Sequence, residues 1–145
     1  SKDAKIAMLH TYSTKNVEHF NLIRDFIQST FHPAVVLALP ESAPPFKSEY
    51  NDYNLAPTTL TKAFKRIPYF VSGHEMYIVN TLKREQIYIQ TLESMYKPDA
   101  DLFVMVKDKR IDQKVYKGLT EALLREAFPG FLPEIVKTPK PSAEA

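Results

Sequence analysis

The sequence predicts an α/β domain, and three observations carry that reading. Its 145 residues, 44% of them hydrophobic, suffice for one core. Short apolar runs of strand length alternate with stretches whose apolar residues recur at helical spacing. The continuous run Ala34–Leu39 (AVVLAL) follows a helical pattern, as a strand covered on both faces would in a crossover unit.

Taken in order, Lys5–Tyr12 (KIAMLHTY) reads as a short buried strand. The polar turn Ser13-Thr14-Lys15-Asn16 leads into a helix on Val17, Phe20, Ile23, Phe26 and Ile27, with Asn16 as N-cap and Glu18 favoured by the helix dipole. That helix should stop near His32-Pro33, before the strand Ala34–Leu39. Pro40–Ala56 (PESAPPFKSEYNDYNLA) has no periodicity but carries three prolines and the aromatics Phe46, Tyr50 and Tyr53. Loops of this length are uncommon unless functional or disordered, and disordered linkers are poor in aromatics. Pro57 suits a first helical position, and Leu60, Ala63, Phe64 and Ile67 mark the helix that Pro68 ends. Tyr69–Ser72 and Glu75–Val79 read as two strands around Gly73-His74. Thr81 can cap a helix from Leu82 to about Tyr96, although Gln86–Thr91 also alternates like a strand. Asp101–Val106 reads as a further strand, and Val115–Phe128 as an amphipathic helix closed by Phe128-Pro129-Gly130. The domain is expected over 1–132, with the long insert at 40–56 and a flexible tail over 133–145.

Composition excludes more than it assigns. No cysteine is present, so disulfides, thiolate nucleophiles and zinc-thiolate sites are absent. Three glycines stand against eleven prolines, which makes glycine-rich phosphate loops improbable. A net charge of +2 does not argue nucleic-acid binding. No apolar run approaches the ~20 residues of a membrane span. Ser1–Lys5 lacks the apolar segment of a signal peptide, the expectation for an intracellular chain or one already processed. No cofactor is implied.

The order β-α-β, α, β-β, α resembles the thioredoxin-like fold over residues 5–96, with a C-terminal β-α extension and mobile tail beyond it. The local echo is Lys65-Arg66-Ile67-Pro68-Tyr69-Phe70-Val71-Ser72-Gly73-His74-Glu75, where Pro68 and Gly73 match the family's cis-proline and the turn into its fourth strand. The chain departs from the family at its redox pair, where Tyr12-Ser13-Thr14-Lys15-Asn16 holds no thiol, and in the length of the 40–56 insert. The resemblance implies a redox-inactive structural subunit, like the related small subunits of mitochondrial ribosomes and respiratory complex I. It leaves the compartment open between mitochondrion and cytoplasm.

Three functions remain open on the residues. The first is a non-catalytic interaction subunit docking on other protein subunits through the Pro/Tyr-rich arm, with Phe46, Tyr50 and Tyr53 as rigid anchors. Deleting residues 41–54 would then weaken association and leave the domain folded. The arm folding back over its own domain is the competing reading. The second is RNA binding through the basic clusters Lys62, Lys65, Arg66, Lys83, Arg84 and Lys107, Lys109, Arg110, Lys114, Lys117, which ordinary solvated helix faces also explain. The third is an anion site at Ser13, Thr14 and Lys15, at a helix N-terminus, or a small enzyme centred on His10, Ser13, Lys15 and His74. Asp99, Asp101, Asp108 and Asp112 lack the spacing of a calcium loop, and the four histidines lack close ligand spacing, so no metal is implied.

Overall fold

A computed structural model of the chain describes residues 1–135. It consists of six helices: α1 (Lys2–Thr14), α2 (Val17–Phe31), α3 (Leu60–Lys65), α4 (Thr81–Glu93), α5 (Lys97–Asp108) and α6 (Glu121–Ala127). Two 3₁₀ turns, Tyr53–Leu55 and Ile67–Phe70, complete the regular structure. Extended segments meet only at isolated bridges, Leu37 with Val71, Tyr50 with Tyr96 and Thr58 with Met95, so the described residues form no sheet. The expected α/β class and the thioredoxin-like resemblance are therefore wrong. The expectation of a mitochondrial, thioredoxin-like subunit rested on that resemblance and loses its basis with it.

Each corrected element has a physical cause. Lys5–Tyr12 lies inside α1, whose N-cap Ser1 accepts the Ala4 N–H at 3.2 Å and whose first turn carries Asp3. Its Ala, Met, Leu and Lys are strong helix formers, an eight-residue mixed window cannot separate a strand from a helical segment, and the expected burial is absent too, since none of Lys5–Tyr12 is buried. Asp101–Val106 fails as a strand for a related reason. Ala100, Phe103, Val104, Val106 and Lys107 are all buried, because α5 packs against α2, α3 and α4 together. A helix enclosed on several sides loses its polar stripe and reads as a continuous apolar run. Ala34–Leu39 is extended, but its pairing is limited to the Leu37 bridge and the Ala38 N–H donated to Phe70 O at 2.7 Å.

The segment that echoed the thioredoxin-like pattern is the 3₁₀ turn Ile67–Phe70 followed by a bend. Pro68 sits in the first turn of that element, and all described peptide bonds are trans. Gly73 does adopt φ +90°, which favours glycine, but it starts no hairpin. Gln86–Thr91 is helical, within α4, which Asn80 caps one residue ahead of the expected Thr81. The expected Val115–Phe128 helix is halved: Gly118 at φ +82° breaks it, and Thr120 caps the remainder by accepting the Leu123 N–H at 3.2 Å. The helix 17–31 with its Asn16 cap and its stop at His32 is as the spacing predicts. The expected tail over 133–145 lies, from residue 136 on, outside the described residues.

The core centres on Ile27, Phe64, Phe70, Tyr88, Leu92, Met95, Phe103 and Leu124. Aromatic edges join it, Phe64 to Phe103 at 5.8 Å and Phe70 to Tyr88 at 5.5 Å. α1 and α2 form a hairpin, and α6 closes against α1.

Candidate interaction surface

The Pro/Tyr-rich arm folds along its own domain. Lys107, with its side chain only 2% exposed, donates to Pro40 O at 2.7 Å and Ser42 O at 2.9 Å while pairing with Asp108 at 2.5 Å. Asp108 in turn accepts the Ser42 N–H at 3.1 Å, across a backbone that takes φ +73° at Ser42. Farther along, Ser48 Oγ donates to Met95 O at 2.6 Å, and the Lys97 N–H donates to Tyr50 O at 3.3 Å. Phe46 is half-buried against the core, with Lys97 Nζ 5.2 Å from its ring centroid. The arm is thus fastened at both ends by side chains and backbone of α4 and α5. Beneath its proline-bearing start, burial and then Asp108 push the Tyr88 hydroxyl pKa up.

Its tip is different. In the 3₁₀ turn Tyr53–Leu55, Tyr53 is 52% and Leu55 69% exposed. Tyr53 meets Tyr96 edge-on at 6.3 Å. The Tyr12 hydroxyl pKa is raised, by burial first and by Tyr53 second. Tyr12 stacks flat on His19, with centroids 4.0 Å apart and planes 8° from parallel. His19 Nδ1 donates to Tyr12 O at 3.1 Å, which selects the Nδ1–H tautomer and fixes the ring. Tyr53 and Tyr96 thus form an aromatic strip from the arm to the α4–α5 junction, while Tyr12 and His19 are a separate stacked pair at the α1–α2 junction. Val17, 70% exposed, opens the helix that carries His19.

Of the residues singled out from sequence, the strip gathers Tyr53, while Tyr50 and Phe46 anchor the arm beside it. Lys15 caps the C-terminal end of α1, and the Ser13 and Thr14 hydroxyls donate to His10 O at 3.0 and 2.9 Å, so both serve the helix rather than an open anion cradle. Asn16 Oδ1 accepts the His19 N–H at 2.8 Å in the first turn of α2. His10 turns to α6, donating from Nε2 to Ala127 O at 2.6 Å and packing on Phe128. His74 stands on the loop after the second 3₁₀ turn, where Nδ1 accepts the Met76 N–H at 3.1 Å. The His10–Ser13–Lys15–His74 centre is not assembled.

The basic clusters divide. Arg84 is buried and donates to Ala38 O at 2.6 Å, Ile78 O at 2.9 Å and Val79 O at 3.1 Å, with its guanidinium over Tyr77. Arg66 donates to Thr91 Oγ1 at 2.7 Å. Lys109, in the left-handed conformation at the end of α5, donates to Ser29 O, His32 O and Val35 O and so closes the end of α2; burial lowers its pKa. Lys62, Lys65, Lys83, Arg110, Lys114 and Lys117 remain exposed. Among the described residues, no group of three or more His, Asp or Glu converges to hold a metal ion, and no helix is long and apolar enough to cross a membrane.

Sequence reasoning missed Tyr96 as the partner of Tyr53, the exposure of Leu55 beside it, and the separate stack of Tyr12 on His19. Nothing in the spacing signals them, because Tyr12 and His19 meet only when both flanks of Ser13–Asn16 are helical.

Fold and surface together define, over the described residues, a small helical protein strapped by an aromatic arm, with exposed aromatic and aliphatic side chains at the arm's tip. The chain belongs to a family of unknown function, DUF6433, whose match spans residues 1–113 and hence α1 through α5. No curated protein and no solved structure matches it.

Proposed function

We propose that this chain is a non-catalytic protein-interaction module that docks through the tip of its Pro/Tyr-rich arm. The observation that carries the reading is the exposed tip of the arm, where Tyr53 meets Tyr96 edge-on and Leu55 is exposed beside it. Tyrosine supplies large contact area at low entropic cost and dominates interface energetics. The tip is already ordered by that edge contact and by the anchored arm, so little freedom is lost on docking. Stacked aromatics with Lys15 nearby would also suit a single nucleic-acid strand. The exposed aliphatics Leu55 and Val17 favour protein, since they have no base to stack on and gain only by being dried.

The test is affinity purification of the full chain beside a Tyr53→Ala/Leu55→Asp variant. Both side chains are more than half exposed, so stability should change by no more than about 0.5 kcal/mol. Recovery of partner proteins should drop about tenfold. An unchanged partner profile overturns the reading, as does low-salt binding of a labelled single-stranded oligonucleotide that Tyr53→Ala abolishes.

A further inference from the structure

A second surface lies apart from the strip, between α1 and the segment 115–123. It is a groove of 370 Å³ whose floor and walls are Met8, Leu9, Val115, Tyr116, Leu119 and Leu123. Met8 and Val115 are 64% and 62% exposed, so the groove is open and apolar. Its rim is cationic. Lys5 and Lys117 line it, Lys114 stands in the adjoining turn, and among the described residues none of the three forms an ion pair. Of the neighbouring carboxylates, Lys2 engages Glu126 at 2.7 Å and Arg125 engages Glu121 at 3.0 Å, while Asp112 accepts the Lys114 N–H at 2.9 Å and forms no ion pair among the described residues. Gly118 sets the rim's shape, because at φ +82° it has no Cβ and the Lys5 side chain lies directly against it.

We propose that this groove receives an acidic amphipathic helix from a partner protein. Apolar side chains at i, i+3, i+4 and i+7 would enter between α1 and the 115–123 wall, and flanking Glu or Asp would meet Lys5, Lys114 and Lys117. This is the helix-in-groove mode, with rim charges setting orientation and association rate. Charge complementarity selects this occupant. A second copy would bring the same lysines against each other. The chain's own residues 136–145 offer two lysines and one glutamate, the wrong sign for the rim. A nucleic acid would match the charge but leave the apolar floor unfilled.

The test uses the full chain and two fluorescein-labelled amphipathic helical peptides with identical leucine faces. One carries glutamate and the other lysine at the flanking positions. The glutamate peptide should bind, more weakly as salt rises from about 0.05 to about 0.5 M. The lysine peptide should bind at least about tenfold more weakly. Met8→Asp should weaken binding about tenfold, and Lys5→Glu/Lys117→Glu by a similar factor. Val115→Asp serves as a second floor variant should Met8→Asp disturb folding, which circular dichroism reports. Tyr53→Ala/Leu55→Asp should leave this binding unchanged, so the two surfaces fail or survive separately. No binding of the glutamate peptide, equal binding of both peptides, or indifference to both floor variants overturns the proposal.

Discussion

Two side chains carry unusual electrostatic weight for their position. Lys107 is a buried ammonium whose partners are two carbonyls and one carboxylate, all at hydrogen-bonding distance. Replacing it by methionine keeps the volume but strands Pro40 O, Ser42 O and Asp108 together. Lys107→Met should therefore cost about 3 kcal/mol, measured by the urea midpoint. A change below about 0.5 kcal/mol, the scale of an ordinary surface substitution, would show that the pair holds nothing. Asp99 is the opposite case: its Oδ2 is buried without a partner among the described residues, and burial holds its carboxyl above the ordinary value. The folded chain thus binds this proton more tightly than the unfolded chain does. The group's contribution is most favourable below the unfolded value and is lost as pH rises through the interval up to the folded one. Asp99→Asn should accordingly stabilise the protein at pH 7, with the gain shrinking toward zero near about pH 3.5. Urea unfolding of both proteins across that range checks it, and a gain independent of pH would exclude this origin.

At the scale of elements, the arm folds back along its own domain, one of the two courses its composition left open. Prolines and aromatics without periodicity marked 40–56 correctly as special. Its removal was expected to spare the fold, yet Ser42, Ser48 and Tyr50 tie it to α4 and α5 at several points. Deleting residues 41–54 should lower the melting temperature by about 10 °C or more, or abolish cooperative unfolding, because Lys107 loses Ser42 O, Asp108 loses the Ser42 N–H and Met95 O loses Ser48. A deletion variant that melts like the parent would mean that these bonds contribute nothing net. The helical elements were unevenly legible. α2 announced itself through a polar cap and a repeating apolar face, both local signals. α5 did not, because enclosure by three helices removed the polar residues that would have shown its period.

For the molecule as a whole, cations that look available in the sequence are partly consumed in holding loops to helices. Arg84, Lys107 and Lys109 each donate to two or three backbone carbonyls. Such carbonyls belong to segments without sheet partners, and in a fold of short helices and long connections they must be satisfied by side chains. This economy leaves the exterior with an aromatic strip at one junction and a lysine-rimmed apolar groove at another. Because the two share no residue, substitutions on one should add to those on the other without coupling.

From the residues alone came the absence of thiol and glycine-loop chemistry, the second helix with its cap, and the singularity of the arm. These depend on composition or on contacts within one turn, and the sequence records both directly. Three-dimensional packing settled the rest. Whether Lys5–Tyr12 and Asp101–Val106 are strands or helices depends on what surrounds them, since windows of eight and six residues this rich in apolar side chains satisfy either period. Which of the arginines and lysines face solvent, and whether Tyr53 meets Tyr96, depends on contacts between residues tens of positions apart. Burial and long-range pairing are properties of the assembled core, and no local pattern in the chain encodes them.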